Sequence, residues 1–305
     1  MLSPVEFEAA LFFYDWIGQV LSFRAILDYV SSGQPKTAMT ETHGKNYNLR
    51  DEIKAYWSAR AEKFDLSPGH EIFSEDERQA WRALIEKHLG AGNGRPALDL
   101  ASGTAVVSHL MDDAGFRVTG LDWSEAMLAL ARDKAKKRGR DITFRMADAE
   151  NTMEPDGAYD VIVTRHLVWT LVDPAACFAE WMRVLKPGGK LLIVDGDFVN
   201  VGFAEKLVKR LAALAERIGL IRPEISHALA ELAGKHAEIL SRVHFSQGAR
   251  AGDVAALLQQ AGFGRVTIDT DLKHIHRAQA RHLSFFKATA RGLQHRYAIC
   301  AQKPL

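Results

Sequence analysis

Cysteine is nearly missing from this chain: only Cys177 and Cys300 occur in 305 residues, far apart and outside any C-x-x-C pair. That excludes a disulfide framework and a cysteine-built metal site, and it makes a reducing cytoplasm the default compartment. Net charge is missing too, because 39 basic residues meet 38 acidic ones, leaving +1. Such a balance gives no reason to expect nucleic acid as a partner. No apolar run approaches the ~18 residues of a membrane span. The N-terminus has no basic n-region and carries Glu6, Glu8 and Asp15 through its apolar stretch, so it does not read as a signal peptide. One absence is local. From Lys273 onward no acidic residue occurs, while Lys or Arg recurs at 273, 277, 281, 287, 291, 296 and 303. A solvated basic face explains this, and an entrance attracting an anionic substrate or a lipid surface is the sharper alternative.

What is present changes character along the chain. Residues 4–31 space Phe7, Leu11, Trp16, Val20, Phe23 and Leu27 as amphipathic helices do, and 33–48 reads as a polar linker. Helices near 50–64 and 74–89 follow, so 1–90 is expected to form a helical cap. From Arg95 strands alternate with helices: strands at 96–101, 117–122, 142–148, 159–166 and 190–197, with Ser124 placed to cap one helix and Lys186-Pro187-Gly188-Gly189 ending another. Residues 203–243 read as two helices split near 219–223, part of a lid insertion spanning 198–250. A helix at 252–261 and strands at 262–271 and 295–303 complete an α/β, doubly wound, seven-stranded Rossmann-like core over 91–305.

The turn after the first strand, Asp99-Leu-Ala101-Ser-Gly103-Thr-Ala105, opens a helix and lies where such sheets bind ligands. It lacks the last glycine of a dinucleotide fingerprint, and Asp99 would oppose a pyrophosphate. A carboxylate there suits a ligand with an ammonium group and no phosphate. Asp122, about twenty residues on at the end of the second strand, is placed to hold ribose hydroxyls.

These segments resemble the class I S-adenosylmethionine-dependent methyltransferases of the small-molecule, ubiquinone-biosynthesis type. ALDLASGTA stands for their first motif, and VTGLDWSEAML (118–128), FRMADAEN (144–151), YDVIVTRHLVWTLVDP (159–174) and WMRVLKPGGKLLIVD (181–195) follow in their order, with YWSARAEKFD (56–65) as the lead-in helix. The resemblance implies S-adenosylmethionine as cofactor. Asp99 and the backbone of Ala101 and Gly103 would lie at its aminoacyl tail, and Asp122 at its ribose. Trp123 and Met127 would flank the adenine, with Asp148 and the Ala149 backbone at its edge. Arg165, Tyr56 and Arg60 would cover the methionine end. Ala101 and Ala105 depart from the family's glycines, each adding a methyl where backbone and ligand approach closely.

Methyl transfer needs alignment and, at times, a proton acceptor. His166 is placed to be that base, though packing beside Trp169 explains it equally. Trp169, Asp195 and His244 are the expected substrate contacts. His274 and His276 would share a face if extended, but no third ligand accompanies them and no metal is expected. The function expected is methylation of oxygen or nitrogen on a small-molecule acceptor. The rivals are a lipid-headgroup methyltransferase at a membrane surface and a cofactor-binding regulator without turnover. The apolar face of 4–31 suits a homodimer interface as well as a lid.

Overall fold

The computed structural model describes residues 42–66, 68–221 and 227–305. The helices expected over 4–31, with the dimer interface they suggest, lie outside these residues.

Seven strands form one sheet in the order β3-β2-β1-β4-β5-β7-β6. They are β1 Pro96–Leu100, β2 Arg117–Asp122, β3 Thr143–Met146, β4 Tyr159–Arg165, β5 Leu185–Asp197, β6 Val266–Asp269 and β7 His295–Gln302. Strands β1 to β5 pair in parallel, whereas β7 runs antiparallel between β5 and β6. The central strands are apolar almost throughout because both faces are covered. Alternation then sorts their side chains. Leu98, Leu100, Ile162, Leu191 and Ile193 join one core with Phe178 and Trp181. Ala97, Val161, Val163, Leu192 and Val194 join the other with Trp81, Leu110 and Met111.

The helices are α1 Thr42–Phe64, α2 Glu75–Leu89, α3 Val106–Asp113, α4 Glu125–Lys137, α5 Pro174–Val184, α6 Phe203–Arg217, α7 His227–Arg242, α8 Ala251–Gln260, α9 Lys273–Ala280 and α10 Phe285–Leu293. Ser124 caps α4 by accepting from the Met127 amide at 3.3 Å, and Asp173 caps α5 by accepting from Ala176 at 3.1 Å. Among the described residues no helix is long and apolar enough to cross a membrane.

Three expectations are corrected. The polar stretch read as a linker to 48 is already helical from Thr42. The fifth strand, expected from Lys190, already starts at Leu185, so the 186–189 breaker that follows the helix lies within β5; the extra residues bulge, and Tyr159 and Val161 pair across a register shift. Gly188 there adopts φ +74°, open to glycine at no steric cost. The basic stretch after 272, left without elements, folds as α9 and α10. His274 and His276 therefore sit two apart on α9 and face different ways, so they form no pair.

Because β2 and β4 flank β1, the chain leaves β1 at the point where the strand order reverses, and a crevice opens beyond the carboxyl ends. Helices α1 and α7 cover it, packed through Leu49, Ile53 and Tyr56 against Ile239 and Val243. The turn leaving β1 is left-handed three times, at Ala101 (φ +53°), Gly103 (φ +54°) and Ala105 (φ +72°). An L-residue pays roughly 1–2 kcal/mol for that conformation. Ala101→Gly therefore raises stability by up to about 1 kcal/mol, where an ordinary Ala→Gly change lowers it. Thermal unfolding of the two proteins reads the sign; a lower midpoint for the glycine variant refutes the strain.

Candidate active site

A cavity opens in the crevice beyond the carboxyl ends of the strands, the position at which such sheets take their ligands. Its floor is the β1 turn. Ser102 N–H donates to Leu121 O at 2.9 Å, and Ala105 N–H to Ser102 O at 2.8 Å. The Asp122 carboxylate ties this turn to the end of β2, accepting from Gly103 N at 2.9 Å and from Ser124 N at 2.8 Å. The Trp123 amide also acts on it, and with about four acceptor sites on a carboxylate it keeps acceptor capacity toward the cavity it lines. Burial pushes its pKa up to about 6.

Asp99 and Arg165 form a second feature, at the ends of β1 and β4. Asp99 is 1% exposed and accepts from Ser108 Oγ at 2.6 Å. Burial pushes its pKa up to about 7, against the opposing effects of Ser108 and Arg165. Arg165 donates through Nη2 to His70 O at 2.8 Å, while its buried Nη1 has no hydrogen-bond partner. An orphaned guanidinium donor beside a carboxylate is the donor–acceptor set that a zwitterionic amino acid requires.

Residues after β3 make the next wall. Asp148 lines the cavity and accepts from Glu150 N at 2.9 Å; burial raises its pKa. Ala149 is held by its carbonyl, which accepts from Trp181 Nε1 at 2.8 Å. Trp123 and Met127 face the same space. The far end is aromatic. Trp169 meets Phe198 at 5.7 Å, His236 at 5.3 Å and Trp57 at 6.4 Å, all close to perpendicular.

His166 stands between the two ends with φ +58° and lines the cavity. Its Nε2 lies 3.4 Å from Arg296 Nη1. Burial, then Arg296 and Arg165, hold the imidazole well below its usual pKa, so it is neutral.

The cavity thus gathers Asp99, Ala101, Gly103, Asp122, Trp123, Met127, Asp148, Ala149, Arg165, His166 and Trp169. Four expected residues stand elsewhere. Tyr56 turns toward α7 and stacks on His236 at 5.1 Å; Arg60 donates to its hydroxyl. The neighbouring Trp57, about 100° around the helix, faces the cavity instead. Asp195 sits behind the wall, where its carboxylate accepts from Val168 N and Gly196 N, both at 2.8 Å. It thereby holds the 3₁₀ turn Val168–Thr170 that carries Trp169. His244 is exposed, its ring edge-on to Phe245. Missed by sequence reasoning were Trp57, Phe198, His236, Gln294 and Arg296. The run of basic residues after 272 was the only signal for Arg296, and it did not separate that residue from its exposed neighbours.

The buried carboxyls set a pH dependence. Folded Asp99 keeps its proton to about pH 7, whereas the ordinary value is 3.8. Stability therefore falls as pH rises between those values, by up to roughly 4 kcal/mol for this group. Denaturant unfolding of the unliganded protein at about pH 5 and about pH 8 reads it. The Asp99→Asn variant is expected to lose less stability over that interval, and an equal loss contradicts the assignment.

Residues 98–193 match a methyltransferase domain family. The chain is 33% identical over 173 residues to a demethylmenaquinone methyltransferase of Renibacterium salmoninarum, covering 55% of this chain and 70% of the relative. It is 32% identical over 151 residues to a ubiquinone/menaquinone biosynthesis C-methyltransferase of Bdellovibrio bacteriovorus, covering 49% and 63%. In fold it is similar to the Haemonchus contortus phosphoethanolamine N-methyltransferase 2 in complex with S-adenosyl-L-methionine, with a TM-score of 0.55, 16% identity, and 89% and 62% of the two chains covered. The chain belongs to the class I S-adenosylmethionine-dependent methyltransferases, as an enzyme of the small-molecule type that uses S-adenosylmethionine.

Proposed function

We propose that the enzyme methylates a hydroxyl oxygen on a planar small-molecule acceptor. The observation that carries this reading is the neutral imidazole of His166, set on the cavity wall between the aromatic end and Arg165. In this reading Arg165 Nη1 and Asp99 take the carboxylate and ammonium of the cofactor, and Asp122 takes its ribose. Asp148 and the Ala149 amide read the adenine, which Trp123 and Met127 flank. The bound cofactor supplies a methyl group activated by its sulfonium. The protein supplies alignment and a dry, covered chamber.

The acceptor would lie against Trp169, Phe198 and Trp57, with its hydroxyl displacing the long 3.4 Å Arg296 contact and donating to the lone pair of His166 Nε2. As the oxygen attacks, its proton passes to the imidazole. Negative charge growing on that oxygen offsets Arg296 and raises the imidazole's affinity for the proton. Two guanidinium groups in the wall, Arg165 and Arg296, oppose an ammonium acceptor, which favours oxygen over nitrogen. A second reading, transfer to a ring carbon beside the same hydroxyl, is favoured by the names of the related quinone C-methyltransferases. A lipid-headgroup substrate has no comparable support in this cavity.

The test is transfer from carbon-13 methyl-labelled cofactor to a panel of phenols, catechols, quinols and aromatic amines. The methyl carbon shift separates bonds to oxygen, carbon and nitrogen. Product methylated on oxygen is expected; product on carbon selects the second reading, and product on nitrogen only rejects both. His166→Asn tolerates the left-handed backbone and is expected to lower kcat about 10²-fold or more with unchanged affinity for S-adenosylhomocysteine. Unchanged kcat removes His166 from the chemistry.

A further inference from the structure

Arg296 lies at the start of β7, in register with Gly196 of β5, and its guanidinium enters the acceptor end of the cavity. Its contacts are all neutral. Nε donates to Gln294 Oε1 at 2.9 Å, Nη1 lies 3.4 Å from His166 Nε2, and the group sits 5.3 Å over the Phe198 ring. Of its five N–H donors only Nε makes a short hydrogen bond, so the Nη1–Nη2 edge is left for a ligand in the cavity that Arg296 lines. Among the described residues no carboxylate comes within salt-bridge distance of Arg296. Asp195, whose charge reaches Arg296, turns both oxygens to backbone amides, and burial pushes its pKa up to about 7. Burial first, then the like charges of Arg291 and Arg165, hold the proton affinity of Arg296 well below the usual arginine range, against the smaller opposing effects of Asp195 and Glu205.

A guanidinium in a covered site with no carboxylate at contact distance gains when a ligand supplies the counter-charge. The cofactor brings one carboxylate, and Arg165 beside Asp99 is the group that matches it. Arg296 stands at the other end, beside Trp169 and Phe198.

We propose that the acceptor carries a carboxylate, bound end-on by the Nη1–Nη2 edge of Arg296 with Gln294 holding the guanidinium in plane through Nε, so that this arginine selects planar carboxylic acids over their neutral analogues. The assignment rests on the reading above that the aromatic end receives the acceptor. A planar anion is favoured because the fork presents two parallel donors and the neighbouring rings form a slot.

Calorimetric titration of the full chain, saturated with S-adenosylhomocysteine, with benzoate and then with benzamide tests this. The wild-type protein is expected to bind benzoate about tenfold or more tighter than benzamide. In Arg296→Gln that ratio falls to near one while affinity for S-adenosylhomocysteine is kept. Arg296→Lys, which retains charge without the fork, loses part of the preference and covers the case in which the glutamine variant fails to fold. A wild-type ratio near one, or a preference that survives both substitutions, overturns the anion site. Wild-type protein that binds S-adenosylhomocysteine but methylates no hydroxylated acceptor overturns the proposed reaction instead, whatever the ratio.

Discussion

The carboxylate of Asp122 holds the active site together. Its two oxygens join the amide of Gly103, in the turn after β1, to the amide of Ser124, at the head of α4. Two strand ends and a helix start are thereby set in one geometry, with the carboxylate lining the cavity. The turn it grips holds three left-handed positions, alternating along the chain, two of them alanine. The strain of those alanines is sustained because the surroundings over-determine the backbone: a central strand, a buried cap and a charged acceptor all demand the same path.

From that anchor the cavity divides by chemistry. The β1 and β4 ends bring an acid and a base, Asp99 and Arg165, that suit a zwitterion. The space beyond β5 and β7 is lined by aromatic rings with one guanidinium. Asp195 serves this second half without entering it, since it holds the short turn that presents Trp169. Helices α1 and α7 close the chamber through Ile53, Trp57 and His236. Below the cover, Lys134 binds Asp65 at 2.8 Å and Glu71 at 2.6 Å, so α4 fixes the chain that follows α1.

Much of this was legible in order along the chain. Continuous apolar runs bounded by glycine marked the buried strands, and Asp99, Asp122 and Asp148 each end or follow a strand whose direction the α/β rhythm implies. That rhythm places their side chains in one crevice without any knowledge of packing. Legibility failed where facing depends on a neighbour. Tyr56 and Trp57 are adjacent aromatic residues of one helix, and only the contact of α1 with α7 decides which of them points inward. His244 follows the last lid helix in sequence and still ends exposed, because the loop turns it out beside Phe245.

The sequence by itself therefore determined the sheet, the cofactor turn and the acids around it, because those features depend on local periodicity and on strand ends. Only the tertiary structure decided the acceptor end. Strand β7 runs opposite to β5, which brings residues just before and at its start, Gln294 and Arg296, to the carboxyl ends of the parallel strands. A basic residue in a basic stretch carries no mark of burial. Antiparallel pairing with β5 half-buries it and places it in the cavity wall.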